Sequence, residues 1–408
     1  MSSLVALLGM GVLLALAVLL SGDRRNIRLR TVVPAFLVQV AMAALILYVP
    51  GGERVLNTVS TAVQNVIDYA NVGIEFVLGD LGKRRPGYVT VAFHVLPVIV
   101  FFSALMSTLY YLGVMQKVVS VLGGAVHRLL GTSKTESMSA VANIFIGHTE
   151  APLVVRPYLA TTTESELFAI MTVGCATIAG AVMAGYASMG IDLKYLITAS
   201  FMGAPGGLLM AKIVLPETGQ PVRVEDVAYD AGRPVNIFEA IANGARDGLT
   251  LALNVGAMLL AFVAMIALLN GIIGWLGGFV GYESLTFEQI LGVLLAPLAW
   301  LCGVPWVDAH QAGSLIGQKF VVNEFVAYIK LAAIKDTLLP QTQVVTTFAL
   351  CGFANLSSIA ILLGGLGSLV PERRSDIARL GLRAVLAGSL SNLMSATLAG
   401  LFTSLRAF

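Results

Sequence analysis

The stretch Gly317-Gln318-Lys319-Phe320-Val321-Val322-Asn323-Glu324-Phe325-Val326-Ala327-Tyr328 decides how the chain is read. It sets Lys319, Asn323 and Glu324 inside sequence that is otherwise mostly hydrocarbon. Charge at membrane depth is costly, so its default reading is a functional site. A second polar island, Asn143-Ile144-Phe145-Ile146-Gly147-His148-Thr149-Glu150, lies in the first half of the chain. Two polar islands in two apolar halves point to one site at the junction of two repeats.

Composition supports a membrane setting. Of 408 residues, 57% are hydrophobic and 12% charged, with a mean hydropathy of +0.86. A soluble domain carries roughly 25% charged residues, so this chain falls in the membrane class. The net charge of +2, from 25 basic and 23 acidic residues, gives no bulk argument for a nucleic-acid partner. The 42 glycines suit closely packed membrane helices. Cys175, Cys302 and Cys351 are scattered, with no CxxC and no metal spacing, so free thiols are expected. No soluble linker divides the chain, which reads as one membrane domain.

Eight apolar segments read as spans: residues 4–20, 32–48, 91–114, 167–189, 195–214, 249–276, 343–366 and 380–401. The first lacks the basic leader and cleavage site of a signal peptide. Arg24, Arg25, Arg28 and Arg30 place the loop after it in the cytoplasm and the N-terminus outside. On that count Arg373, Arg374, Arg379 and Arg383 also lie inside, and only Lys83-Arg84-Arg85 falls on the wrong side. Residues 216–244 form the longest polar connection, with Glu217, Arg223, Glu225, Asp226, Asp230 and Arg233.

Between the second and third spans, Val55, Val59, Val63, Val66, Ala70, Ile74 and Val77 recur at helical spacing among polar residues. That pattern predicts an amphipathic helix lying in the interface, with packing on another protein surface as the alternative. Two stretches are too polar for spans and too apolar for loops, one near 124–160 and one near 283–335. Re-entrant helical hairpins buried in protein are the physically allowed form for both.

The expected fold is therefore an all-α polytopic membrane protein. It has about eight transmembrane helices, two re-entrant hairpins and one interfacial amphipathic helix. Residues 1–90 form a scaffold; 91–214 and 249–408 are two repeats, each with an odd number of crossings, so the second is inverted. Cys175-Ala176-Thr177-Ile178-Ala179-Gly180 and Cys351-Gly352-Phe353-Ala354-Asn355-Leu356-Ser357-Ser358 sit in corresponding spans. Their small and hydroxyl residues allow each span to break at mid-membrane. Inverted repeats with broken helices are how secondary transporters are built.

Three constellations carry candidate chemistry. Glu324 can accept hydrogen bonds from substrate hydroxyls, with Asn323 and Asn355 adding contacts. A structural pair with Lys319 is the plainer reading, but a spacing of five is poor for a helical pair. Asn355, Ser357 and Ser358 can read hydroxyls, and Phe353 can stack on a ring; interhelical hydrogen bonding is the competing reading. Asn143, Thr177 and the carbonyls of Ile146 and Ile178 are neutral oxygen donors fit for a small hard cation, where ordinary helix–helix bonding would otherwise suffice. His148 has no metal partner at spacing. No Walker A, dinucleotide, Ser-His-Asp or HExxH pattern occurs, which disfavours an ATP-driven pump or an enzyme.

At these islands the chain resembles the concentrative nucleoside transporter family, in its bacterial form. The family pattern Gly-x-Lys-x-x-x-Asn-Glu-Phe-Val-Ala-aromatic matches Gly317 to Tyr328 at each fixed position. The hairpin pattern Gly-Gln-Thr-Glu-Ala-Pro matches Gly147 to Pro152, with His148 in place of the usual Gln. Cys351 to Ser358 resembles the family's broken seventh span. The similarity runs from about residue 90 to the end.

The resemblance implies that His148, Thr149 and Glu150 face the nucleobase and that Phe353 lies near it. Glu324, Asn355 and Ser358 would hold the ribose, and Val182 and Leu253 would line the pocket. Asn143, Thr177 and the carbonyls of Ile146 and Ile178 would form a Na⁺ site. It further implies a homotrimer with an elevator-like moving domain, a nucleoside substrate and lipid contacts. The expected place is the bacterial cytoplasmic (inner) membrane, multi-pass. Ion-coupled symport with Na⁺ is the expected function; proton coupling, or a passive channel or structural membrane protein, are the alternatives.

Overall fold

The computed structural model describes residues 2–83, 90–221, 234–279, 281–282 and 285–406. Arg84, Arg85, Arg223, Glu225, Asp226, Asp230, Arg233 and Glu283 lie outside the described residues. Every element among the described residues is helical, as backbone surrounded by hydrocarbon requires.

The chain opens with α1 (Ser2–Leu19), α2 (Leu29–Leu47) and α3 (Pro50–Leu78). A π-helical turn (Val91–Val95) leads into α4 (Leu96–Tyr111), followed by α5 (Val114–Leu130) and α6 (Lys134–Ala142). A 3-10 stretch (Ala151–Thr161) precedes α7 (Glu164–Ala176), α8 (Gly180–Ser188) and α9 (Leu193–Val214). The series then restarts with α10 (Ile237–Gly278), α11 (Phe287–Leu301), α12 (Trp306–Val321) and α13 (Glu324–Ile334). It closes with α14 (Pro340–Leu350), α15 (Ser358–Gly364), α16 (Leu366–Leu369) and α17 (Arg374–Arg406). Each half runs as a long helix, a flanking helix, a helix–turn–helix, a broken helix and a long helix.

Among the described residues, six helices are long and apolar enough to cross a membrane: Leu29–Leu47, Val91–Tyr111, Glu164–Ser188, Leu193–Val214, Ile237–Gly278 and Pro371–Leu405. Two of the eight expected spans are shorter or divided in the structure. One is α1; the other is the span expected at 343–366, which is split into α14 and α15–α16.

Two expectations are corrected. α5 is a helix of its own, stopped by Gly131 with a left-handed φ of +66°. The first hairpin therefore begins with α6 rather than near residue 124. Ser133 starts α6 with a capping box: its Oγ accepts from Glu136 N at 3.3 Å, and Glu136 Oε1 accepts from Ser133 N at 2.7 Å. The stretch 283–335 is three helices, not two arms: α11 and α12 meet at 115°, and α12 turns back into α13 at Val322-Asn323. On α3 the buried stripe is Leu56, Ile67, Ala70 and Ile74, while Val55, Val59 and Val77 face outward. The helix is apolar on more than one side, so spacing left open which side meets protein.

Burial separates a centre from a rim. In the most apolar windows of α7–α8 and α9, 94% and 89% of residues are buried, against 22%, 28% and 22% in α2, α4 and α10. On the rim, α10 lies along α4 at Gly244 and Gly248. A Cβ on Gly244 would sit 2.6 Å from Ser107 Cβ, and one on Gly248 2.7 Å from Ser103 Cβ. Small residues four apart on both helices permit this approach.

Candidate functional site

Both helix–turn–helix elements point their turns at the two broken helices. Leu356 N donates to Phe320 O at 3.1 Å, tying the α14–α15 break to α12. Gly180 N donates to Phe145 O at 3.1 Å, tying the start of α8 to the first hairpin. The two breaks also meet: Phe353 N donates to Thr177 O at 3.1 Å. Broken helices leave unpaired backbone groups at each break, and these cross-links satisfy part of them.

The convergence leaves a cavity of about 120 Å³. His148, Thr149, Glu150, Val182, Glu324, Phe353, Asn355 and Ser358 all line it. Leu253 does not. It is 64% exposed, on the outward side of α10, while Leu251, Val255, Met258 and Leu259 line the cavity. Those residues recur at helical spacing, and Leu253 falls between them on the other face. The assignment of Leu253 is therefore corrected to Leu251 or Val255.

Glu324 is buried and held by neutral groups. Its Oε1 accepts from Tyr186 OH at 3.0 Å, and its Oε2 accepts from Asn355 Nδ2 at 2.9 Å. Asn355 Oδ1 in turn accepts from Ser357 Oγ at 2.6 Å, Ser358 N at 3.0 Å and Ser358 Oγ at 3.0 Å. Ser358 Oγ also donates to Phe353 O. Asn323 does not reach into this network; its Oδ1 caps α13 by accepting from Val326 N at 2.9 Å. A carboxylate has about four lone-pair positions. Two bonds leave acceptor capacity on each oxygen, turned toward the cavity.

The opposite wall is aromatic. The His148 and Phe353 rings lie edge-on with centroids 5.0 Å apart. His148 is buried, and neither ring nitrogen has a hydrogen-bond partner among the described residues. Two bare hairpin contacts make this fit possible. A Cβ on Gly174 would lie 2.7 Å from His148 Cβ, and one on Gly365 2.4 Å from Thr149 Cγ2. Glu150 Oε2 accepts from Gly147 N at 3.1 Å and closes the turn. Glu150, Ala179 and Leu251 are also walls of a neighbouring cavity of about 630 Å³.

Beside the hairpin turn sit the candidate ion ligands. Asn143 is buried; its Nδ2 donates to Ser139 O at 3.1 Å, and its Oδ1 has no hydrogen-bond partner among the described residues. Thr177 Oγ1 donates to Val173 O at 2.9 Å, which leaves its lone pairs free to accept. Ile146 lines the larger cavity, and Ile178 is buried at the α7–α8 break. The donor set is neutral oxygen throughout, which suits a small hard cation.

Lys319 is not Glu324's partner. Its Nζ donates to Ala349 O at 2.8 Å and to Asn392 Oδ1 at 2.7 Å. Asn392 and Tyr186 were both missed from sequence. The signal was present for each: an amide within buried α17, and a phenol within the small-residue helix α8.

Family models match along most of the chain. Residues 195–400 match the Na⁺ dependent nucleoside transporter C-terminus, and residues 8–81 match its N-terminus. The chain belongs to the concentrative, Na⁺-dependent nucleoside transporter family. Residues 92–192 match a gate region described as nucleoside recognition. The transporter is 52% identical to the nucleoside permease NupC of Helicobacter pylori, over 100% of this chain and 99% of that one. It is 40% identical to the rabbit (Oryctolagus cuniculus) sodium/nucleoside cotransporter 1, over 91% of this chain and 58% of the longer rabbit protein. Among solved structures it is similar to CNTnw in an inward-facing substrate-bound state. That match has a TM-score of 0.96 and 55% identity, and covers 100% of this chain and 99% of CNTnw. Fold and relatives are those of a multi-pass membrane transporter, not an enzyme.

Proposed function

We propose that the protein is a Na⁺-coupled symporter that imports nucleosides across the bacterial cytoplasmic membrane by alternating access. One observation carries the reading: Glu324, whose side-chain hydrogen-bond partners among the described residues are the neutral Tyr186 and Asn355, shares a cavity with the His148–Phe353 aromatic pair. A nucleoside has the complementary two ends. Its ribose hydroxyls donate to Glu324, with Asn355 and Ser358 alongside. Its base lies against Phe353 and His148, with Thr149 and Glu150 at the edge and Val182 and Leu251 as apolar walls.

Asn143, Thr177 and the carbonyls of Ile146 and Ile178 hold the Na⁺. Ion and nucleoside then share the first hairpin, so binding of one stabilises the position the other needs. In this reading residues 1–90 are scaffold, and 91–214 and 249–408 are inverted repeats around the site. The larger cavity is the cytoplasmic exit. It is lined by Tyr110, Gly113 and Gln116 at the α4–α5 junction and by Asn243 and Asp247 near the start of α10. Lys117 lies in the first turn of α5, next to that junction, on the side basic residues favour. The assembly is a homotrimer whose outward apolar residues meet lipid or a second copy.

Calorimetric titration of uridine, ribose and uracil in Na⁺ buffer tests the two-ended site. Uridine is expected to bind at least about tenfold more tightly than either half, since each loses one set of hydrogen bonds or stacking contacts. Ribose binding as tightly as uridine would remove the base end of the assignment.

A further inference from the structure

We propose that Asn392, on α17, is a positioning residue that couples the ion site to the nucleoside site. The proposal rests on the Na⁺–nucleoside reading above and adds a side-chain link between its two halves, beside the Phe353–Thr177 backbone bond.

The argument starts from the two helix breaks. α7 ends at Ala176 and α14 ends at Leu350, deep in the buried centre. Helix C-termini expose carbonyls without intrahelical partners and carry partial negative charge. Among hydrocarbon, those carbonyls need donors from elsewhere in the protein. One side chain supplies both breaks. Asn392 Nδ2 donates to Ala176 O at 2.7 Å and to Cys351 O at 2.8 Å. Its Oδ1 accepts from Lys319 Nζ at 2.7 Å, and Lys319 donates again to Ala349 O at 2.8 Å. The ammonium thus neutralises the C-terminal end of α14 and fixes the amide's orientation.

An amide offers two N–H donors and one acceptor at a single point. Neither a hydroxyl nor a carboxylate can hold two carbonyls and accept from an ammonium together. The backbone is shaped to admit this group: a Cβ on Gly352 would lie 2.3 Å from Asn392 Oδ1. One turn earlier, a Cβ on Gly388 would lie 2.7 Å from Cys175 Cβ, so α17 lies against the α7 terminus.

What the amide joins explains its function. Ala176 directly precedes Thr177, a candidate ion ligand. Cys351 lies two residues before Phe353 and four before Asn355, on the nucleoside side. A shift of the α7 terminus when the ion binds is passed through the two N–H bonds to the α14 terminus. Asn392 touches neither ligand; it acts by keeping the two breaks in one register.

The test is uridine affinity of the purified full-length protein in detergent, in saturating NaCl and in choline chloride. The ratio of the two Kd values is the coupling factor. Asn392→Asp keeps the side chain's size and its acceptor for Lys319 but replaces both donors. Asn392→Ala removes the contact. Coupling factors run on the order of 5–150-fold. Both variants are expected to lower the ratio at least about threefold, the remainder being carried by the Phe353–Thr177 backbone bond and the shared hairpin, while the Kd in choline moves by less than about threefold. Reciprocally, their Na⁺ affinity responds to uridine by the same reduced factor. Variants that keep the wild-type ratio, even with both Kd values weakened in parallel, overturn the proposal. So does loss of the folded elution peak by both variants in Na⁺ and uridine, which assigns Asn392 to stability alone. A wild-type ratio of 1 is a different failure: it sinks the Na⁺ reading itself before any variant is compared.

Discussion

Glu324→Gln is the most informative single substitution because the structure says what each oxygen is doing. In the wild type, Oε1 takes the Tyr186 hydroxyl at 3.0 Å and Oε2 takes the Asn355 amide at 2.9 Å. Each oxygen keeps a lone pair for a ribose hydroxyl, and each such bond is charge-assisted. Glutamine preserves shape but converts one acceptor oxygen into an N–H₂ that faces a donor. One ribose bond is then lost outright, and the other becomes neutral. A hydrogen bond to a charged group contributes about 1.5–3 kcal/mol, so uridine affinity is expected to fall roughly 10- to 100-fold or more. Tyr186→Phe leaves the charge in place and removes one supporting bond, for a smaller loss of about 0.5–1.5 kcal/mol. Calorimetric titration in saturating Na⁺ reads both. Unchanged affinity in Glu324→Gln, with folded protein, would refute the placement of the ribose on this carboxylate.

Four further expectations follow from the same geometry. Asn143→Ala and Thr177→Ala each delete one oxygen donor, so half-saturation for Na⁺ in uptake should rise and uridine affinity should fall with it; uptake that keeps its Na⁺ dependence would clear both residues. Gly174→Ala drives a Cβ to 2.7 Å from His148 Cβ, and overpacking of about 1–3 kcal/mol should appear as a lower unfolding temperature together with weaker uridine binding. Leu251→Ala should weaken uridine binding while Leu253→Ala leaves it unchanged, and the reverse order would reinstate Leu253 in the pocket. His148→Gln should alter the ranking of uridine, cytidine and adenosine, because an imidazole and an amide offer their donor and acceptor to a base edge in different geometry; one ranking in both proteins would reduce His148 to a spacer.

The site was legible where burial made polarity expensive. Glu324, Asn355 and Ser358 stood out because hydrocarbon surroundings left them unexplained, whereas His148 and Asn143 entered through the family resemblance; the structure places all but Asn143 on the central cavity and Asn143 in the hairpin beside it. What stayed hidden was partnership. Spacing already spoke against a Lys319–Glu324 pair, but it could not name the partners, which include Asn392 and Tyr186, the latter 138 residues from Glu324. Helical phase was the other gap. A single residue step moves a side chain by about 100° around a helix. Leu253 was therefore misplaced although its helix was found. Boundaries failed at 124–160 and 283–335 for a related reason: continuous apolar sequence does not mark where Gly131 or the 302–305 bend divides one helix from the next.

Accumulation of radiolabelled uridine in proteoliposomes tests the central claim most directly. With an inward Na⁺ gradient, internal uridine should rise above the external concentration, and replacing Na⁺ by choline should abolish the accumulation while leaving slow equilibration at most. Accumulation that is indifferent to choline but follows a pH gradient would transfer the coupling to protons. Equilibration without accumulation under either gradient would contradict the symporter account and leave a passive path in its place.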